Sequence, residues 1–329
     1  MKKTLAILLP VALGAVLLIN GCGNKQKGEK PKGEKLLVMV PKFLHPYYEP
    51  CYQGFKDAAV KYGVKTEYRA AKVSEVTQQV EVIESLIARH VDGIAISALD
   101  DQALVPVIKE ATDAGIKVIC FDAPAPSSKA LCYIGTMNEA AGYTGGEMMA
   151  KYMNGEGEAA VLQGGLGAAN LNERFKGFER ALKEKAPKIK LVAREDVQGG
   201  RMDVAMNKTE TLLQAHPNLK AIFAVSAEGA PAASAVLKEQ KKSGKILVGG
   251  FDDQRDTLAG IRDGTVQFCI AQKTYKMGYL SVETLLDAMA GKPIAQKEID
   301  TGVLIITKDN VDTYMDEMRK EFQGTPAKP

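Results

Sequence analysis

From Leu36 onward, apolar residues come in short unbroken runs, and each run is followed by a longer stretch where they recur every three or four positions. An unbroken run such as Leu36-Leu37-Val38-Met39-Val40 predicts a strand buried on both faces. The spacing of Phe55, Ala58, Ala59 and Tyr62 predicts the core-facing stripe of a helix, which Gly63 ends. The alternation continues with strands at 64–68, 93–97 and 117–121 and helices at 75–89 and 102–114. A second series begins after Gly135. It predicts helices at 139–153, 171–185, 203–215, 232–241 and 256–261, and strands at 159–162, 189–193, 221–225, 246–249 and 266–271. A long helix at 277–289, an apolar strand near 303–306 and a polar helix at 310–322 complete the pattern. These are too many parallel strands for one sheet. The expected fold is therefore α/β, with two doubly wound, Rossmann-like parallel-sheet domains and a ligand cleft where strand carboxyl ends face each other.

The first 35 residues follow another pattern. Lys2 and Lys3 precede an uncharged run over 5–19, shorter than the roughly 20 residues of a membrane-spanning helix. The run closes on Leu17-Leu18-Ile19-Asn20-Gly21-Cys22, which resembles a bacterial lipobox and implies cleavage before a lipidated Cys22. Residues 1–21 are expected to be a signal peptide, and the lysine-rich, apolar-poor stretch 22–35 a flexible tether. The protein is then exported and lipid-anchored to a membrane of the cell envelope.

Composition narrows the functional class. Of 329 residues 46% are hydrophobic, ample for large cores, and the net charge of +3 falls to +1 once Lys2 and Lys3 are removed. Charges of both signs are interspersed along the mature chain, so nucleic acid is not an expected partner. Beyond Cys22 the chain has Cys51, Cys120, Cys132 and Cys269 in spacings that match no zinc pattern. A Cys120–Cys132 bridge and buried free thiols are both open, with free thiols the favoured state.

Ligands of open α/β sheets bind at the carboxyl ends of strands. Those ends carry Pro41-Lys42-Phe43-Leu44-His45-Pro46-Tyr47-Tyr48, Ser97-Ala98-Leu99-Asp100-Asp101 and Phe121-Asp122-Ala123 in the first series. In the second they carry Gln163-Gly164-Gly165, Val225-Ser226-Ala227-Glu228, Phe251-Asp252-Asp253 and Ala271-Gln272-Lys273. No clustered acid, base and nucleophile is found, so an enzyme, a catalytic residue, a metal and a cofactor are not expected. Gly165-Leu166-Gly167-Ala168-Ala169 lacks the third glycine of a dinucleotide fingerprint and reads as a loop passing the cleft.

Several blocks together carry a family resemblance. They are Asp92-Gly93-Ile94-Ala95-Ile96-Ser97, Gly115-Ile116-Lys117-Val118-Ile119 with Asp122, Tyr133-Ile134-Gly135-Thr136 with Asn138, Asn172-Glu173-Arg174-Phe175-Lys176-Gly177-Phe178, and Val248-Gly249-Gly250-Phe251-Asp252. In this order the chain resembles periplasmic substrate-binding proteins of the ribose-binding type, whose core is shared with LacI-type repressors. A signal peptide in place of a DNA-binding headpiece sets the repressor aside. The resemblance implies two lobes joined by a three-strand hinge near Thr136, Gln272 and Asp300. Residues 36–136 plus 273–299 would form the first lobe and 137–272 plus 300–307 the second, with 308–329 a C-terminal helix and tail.

Carried over position by position, the resemblance implies a ligand site of Lys42, Phe43, His45, Tyr47, Tyr48, Asp100, Asp122, Arg174, Ser226, Asp252 and Gln272. Tyr47 and Tyr48 would stack on a sugar ring, Asp122 would accept hydroxyl hydrogen bonds, and Arg174, Asp252 and Gln272 would bind from the other lobe. Three positions depart from the family pattern. Ser226 and Ala227 stand where relatives often have asparagine, Gln198-Gly199-Gly200-Arg201 lacks a stacking aromatic, and Ala123 follows Asp122 where some relatives carry a basic residue. The expected function is capture of a small sugar, a ribose-like pentose first, by lobe closure and its delivery to an ABC permease, with the protein a monomer. The alternatives are presentation of ligand to a chemoreceptor or histidine kinase, a non-ribose sugar, polyol or furanosyl signal as ligand, and a glycan-modifying enzyme built on the same fold.

Overall fold

The computed structural model describes residues 34–316 and 318. The expected signal peptide, Cys22, nearly all of the expected tether and most of the C-terminal tail lie outside the described residues. The chain first alternates β1 (Leu36–Val40), α1 (Glu49–Tyr62), β2 (Lys65–Tyr68), α2 (Val76–Ala88), β3 (Gly93–Ile96), α3 (Val105–Asp113), β4 (Lys117–Phe121) and β5 (Tyr133–Gly135). It then runs through α4 (Asn138–Tyr152), β6 (Glu156–Gln163), α5 (Ala169–Lys185), β7 (Lys188–Asp196), α6 (Met202–Ala215), β8 (Leu219–Ala224), α7 (Gly229–Glu239), β9 (Leu247–Phe251), α8 (Arg255–Asp263) and β10 (Phe268–Gln272). The long α9 (Thr274–Met289) leads to β11 (Glu298–Asp300) and β12 (Val303–Thr307).

The strands form two six-stranded sheets, ordered β11-β5-β4-β3-β1-β2 and β12-β10-β9-β8-β6-β7. Alternating side chains of each strand feed opposite faces, so each sheet has two apolar layers. In the first sheet Val38, Val40, Ile94, Ile96 and Val118 meet the α2 and α3 side, where Ile83, Leu86 and Ile108 pack. Leu37, Met39, Ala95, Ile119 and Phe121 meet Phe55, Met277 and Leu285 of α1 and α9. The second sheet divides likewise between an α6–α7 side and an α4–α5 side. Burial of one such side chain contributes about 1.5–3 kcal/mol, so dozens of them hold the lobes against chain entropy.

The same alternation decides the cysteine question. The Cys120 amide donates to the Cys132 carbonyl at 2.9 Å, so their strands are neighbours. Their side chains nevertheless enter different layers on opposite faces of the sheet, and both are free thiols. Cys51 and Cys269 are buried and free as well.

One strand departs from the expected parallel order. β12 runs antiparallel to β10, with Gln272 opposite Val303. The preceding β11 pairs parallel with β5 in the other sheet, and only Thr301 and Gly302 separate β11 from β12. β11 ends at the cleft edge of its own sheet, and a two-residue link can reach only the cleft edge of the second sheet, so β12 must run away from the cleft, opposite to β10. At the C-terminus residues 308–313 form turns and helical geometry begins at Tyr314, later than the expected 310. α3 also begins late, at Val105 just before Pro106, because proline fits the first helical turn and not the interior.

The chain passes between sheets three times, after β5, after β10 and after β11. The Thr301 amide donates to the Gly135 carbonyl at 2.9 Å, and the Thr136 hydroxyl donates to Gln272 Oε1 at 2.9 Å. All three crossings are therefore tied to one another beside the strand ends.

Candidate functional site

The carboxyl ends of both sheets converge on one cavity. Its wall includes Lys42, Phe43, His45, Tyr47, Tyr48 and Asp122 from the first sheet's side, and Arg174, Ser226, Asp252 and Gln272 from the second. The cavity has a volume of about 60 Å³. Ten of the eleven residues named from sequence thus come together.

Asp100 is the exception. Its Oδ1 accepts from the amides of Gln102 at 3.0 Å and Ala103 at 2.8 Å, so the carboxylate caps the turn before α3. Its side chain also lies against Gly167 of the opposite lobe, at the edge of the cleft rather than in its wall.

On the first side the loop after β1 turns back into the cleft. His45 Nδ1 accepts the Tyr47 amide at 3.2 Å and caps a single 3-10 turn, Pro46–Tyr48. That bond leaves the neutral ring's proton on Nε2, and burial lowers the His45 pKa, favouring this neutral form. The two tyrosine rings meet edge to face at 5.0 Å. Both hydroxyls turn to Asp122, Tyr47 to Oδ1 at 2.8 Å and Tyr48 to Oδ2 at 3.1 Å, and the Ser97 hydroxyl donates to Oδ2 at 2.5 Å. A carboxylate offers about four lone-pair sites, so three protein donors leave Asp122 little capacity for a ligand. Asp122 therefore organises the tyrosines in addition to lining the cavity.

A residue not foreseen from sequence holds this side together. Gln79 of α2, fully buried, donates to the carbonyls of Pro41 at 2.9 Å and Ser97 at 2.8 Å and accepts from the Leu99 amide at 3.0 Å. It spaces the ends of β1 and β3. In the sequence it is one polar residue on an amphipathic helix, with nothing to mark it.

On the second side Arg174 of α5 is almost wholly buried. Its Nε donates to Asn138 Oδ1 at 2.9 Å, its Nη1 donates to the Val225 carbonyl at 3.0 Å, and the guanidinium stacks on Phe251 at 4.2 Å. Its Nη2 has no partner, and neither has the buried hydroxyl of Ser226 next to Val225. Asn138 donates in turn to the Tyr133 hydroxyl at 3.1 Å, whose one proton is shared between the carbonyls of Asp122 and Thr136, both at 3.0 Å. A continuous polar chain thus runs from Arg174 past the hinge to Asp122.

Asp252 ends β9 as Asp122 ends β4, and both take left-handed backbone angles, φ 71° and 58°. Such a conformation costs a non-glycine residue about 1–3 kcal/mol, and it points both carboxylates into the cleft. Asp252 Oδ1 accepts from Gln272 Nε2 at 2.8 Å. Burial pushes its pKa up to about 7 against the opposing pull of Arg174. Burial likewise lowers Lys42 to about 8, partly countered by Asp122. Glu228, which also lines the cavity, accepts the Gly200 amide at 2.7 Å.

The aromatic missing at Gln198–Arg201 has a structural counterpart. The Phe43 ring from the first lobe presses on Gly200, where an added Cβ would come within 2.5 Å of it. The glycine gives up a side chain so that an aromatic can arrive from across the cleft.

Further contacts join the two lobes at the cleft. Lys42 Nζ donates to Asn170 Oδ1 at 2.9 Å, Asn170 Nδ2 donates to the Asp122 carbonyl at 3.4 Å, and the Asp101 amide donates to the Gly167 carbonyl at 3.1 Å. Asn170 was not foreseen. The glycine-rich loop before it passes the cleft as its sequence predicts, but nothing in that sequence marks Asn170 as the side chain that crosses.

Among the described residues no helix is long and apolar enough to cross a membrane. The ribose import binding protein RbsB of Bacillus subtilis is 29% identical over 320 residues, covering 94% of this chain and all of that protein. The xylose/arabinose-binding protein XylF of Sulfolobus acidocaldarius is 27% identical, covering 87% of this chain and 74% of that one. Among solved structures, an ABC-transporter solute-binding protein of Burkholderia graminis in complex with D-arabinose is 41% identical with a TM-score of 0.82, covering 87% of this chain and 99% of that one. The sequence profile of the periplasmic binding protein domain matches residues 36–293, which hold β1 to β10, and it shows that the chain belongs to the periplasmic binding protein family.

Proposed function

We propose that this protein captures a small sugar, a pentose first, between its lobes and delivers it to an ABC permease, without catalysing a reaction. The observation that carries the reading is the pair of unpartnered buried groups in the cavity wall, Arg174 Nη2 and Ser226 Oγ. A buried donor left without an acceptor costs about 1–3 kcal/mol or more, and a sugar oxygen lying against both would relieve that cost. On the same reading Asp252 and Gln272 take further hydroxyls, and the Tyr47, Tyr48 and Phe43 rings cover the apolar face of the sugar. Those eleven residues named from sequence, less Asp100, are the proposed ligand contacts. The D-arabinose complex and the ribose, xylose and arabinose binders among the relatives support a pentose.

The lipobox-like segment ending at Cys22 supports an exported protein held to the cell envelope by a lipid and a short tether. The test of function is calorimetry of the full chain against D-ribose, D-arabinose, D-xylose, D-glucose and D-galactose. At least one pentose is expected to bind at micromolar or tighter dissociation constant. Binding of none of the five would defeat the reading.

A further inference from the structure

Asn170 sits in the first turn of α5 with 2% of its surface exposed. It uses both ends of its amide on the facing lobe, accepting from Lys42 Nζ at 2.9 Å and donating to the Asp122 carbonyl at 3.4 Å. Lys42 follows Pro41 at the end of β1 and is itself buried. These bonds span the cleft, well away from the hinge pair Thr136 and Gln272 in sequence and on different strand ends. Parting the lobes would break both at once, whereas no bond inside either lobe depends on them.

We infer that Lys42 and Asn170 form a latch across the cleft, which holds the lobes closed over a ligand and sets how fast it leaves. The chemistry suits a latch. A bond from an ammonium to a neutral amide is stronger than one between two neutral groups, yet both partners regain water when the lobes part. Burying the ammonium carries a desolvation cost that the amide acceptor partly offsets, so the latch closes the unliganded lobes for part of the time and a ligand deepens the closure. Asn170 also lines the cavity, but its amide oxygen and nitrogen are both engaged by the facing lobe, which makes it a positioning residue that acts through the lobes. This inference rests on the proposed sugar reading for its kinetics but not for its conformational part.

The test compares Asn170→Ala, Lys42→Met and the double variant with the wild type, using D-arabinose and D-ribose as probes. Each single variant is expected to release sugar about tenfold faster with little change in association rate, and the double variant to be no worse than the poorer single. The Asn170→Ala loss should be the same for both sugars, because a latch does not read the ligand. A rise in release rate below twofold, additive losses, or an Asn170→Ala loss that differs between the sugars would each overturn the latch. Small-angle scattering of the unliganded proteins supplies an arm free of any sugar, in which both single variants show a larger radius of gyration than the wild type. Equal radii overturn the latch. Unequal radii in a wild type that binds neither sugar would instead sustain the latch and reject the pentose reading.

Discussion

Asp122 has two roles at the scale of a single residue, and the bonds around it separate them. Three hydroxyls, from Tyr47, Tyr48 and Ser97, depend on its carboxylate. Asp122→Ala removes the shared acceptor and leaves Tyr48 and Ser97 only their mutual contact at 3.3 Å, so it should lower unfolding stability by about 2–4 kcal/mol as well as weaken sugar binding more than tenfold. Denaturant melts of the unliganded variant check the first part, and unchanged stability would mean that the three bonds contribute nothing. Asp252 gives a prediction in pH. With its pKa raised to about 7 by burial, the folded unliganded protein retains a proton that the unfolded chain has lost between about pH 4 and pH 7. Stability therefore falls as pH rises through that window and stays lower above it. Asp252→Asn keeps an acceptor for Gln272 and removes the cost, so its gain over the wild type should grow from near zero at pH 4 to about 3–4 kcal/mol at pH 8. Melts at the two pH values measure the difference, and a gain of equal size at both would refute the assignment.

At the scale of elements, the position of Arg174 depends on how closely α5 approaches α4. A Cβ on Gly177 would lie 1.9 Å from the Glu139 carbonyl, and one on Gly142 would lie 2.0 Å from the Arg174 carbonyl. Neither space exists unless the helices part. Gly177→Ala should cost about 2–3 kcal/mol of stability and also weaken sugar binding, since Arg174 lies one turn away on the same helix. Gly115→Ala, at the exposed position just past the C-cap Ala114 of α3 with φ 89° and nothing within 4 Å of the new Cβ, offers a control that strains the backbone without touching the site. If sugar affinity survives in Gly177→Ala at reduced stability, helix approach does not set the Arg174 position. The two-residue link between β11 and β12 is a second constraint of this kind, because it alone dictates the antiparallel edge of the second sheet.

At the scale of the whole molecule, the hinge and the cleft form one polar system. Gln272 accepts from Thr136 and donates to Asp252, while Asn138 links Arg174 to Tyr133 and on to the carbonyl of Asp122. Lobe movement therefore disturbs the groups that would hold a ligand, and a ligand that orders them favours closure. Anchoring belongs to this scale as well. Cys22→Ser should move the protein from the membrane fraction to the soluble fraction of cells, as an immunoblot of the two would report. Retention in the membrane fraction would count against lipidation at Cys22.

Much of this molecule was legible along the chain, and the reason is local. Burial of parallel strands on both faces leaves unbroken apolar runs, helices leave a stripe at 3.6-residue spacing, and strand carboxyl ends collect the ligand groups. Those rules placed nearly all the strands and helices and drew Lys42, Tyr47, Asp122 and Asp252 to one cleft, whereas Arg174, which lies within a helix, was reached only through the family resemblance. Strands of three residues, such as β5 and β11, are too short to leave a period. Gln79 and Asn170 look like ordinary polar residues on amphipathic helices, and Asp100 looks like any other strand-end carboxylate. Their roles were decided by tertiary structure, because each depends on which backbone or side chain of another segment stands opposite: the loops after β1 and β3 for Gln79, the facing lobe for Asn170, the start of α3 for Asp100. Sequence by itself determined the layers, the lobes and the chemical character of the cleft. Only the folded chain decided which of those polar groups bind one another and which are left to meet a ligand.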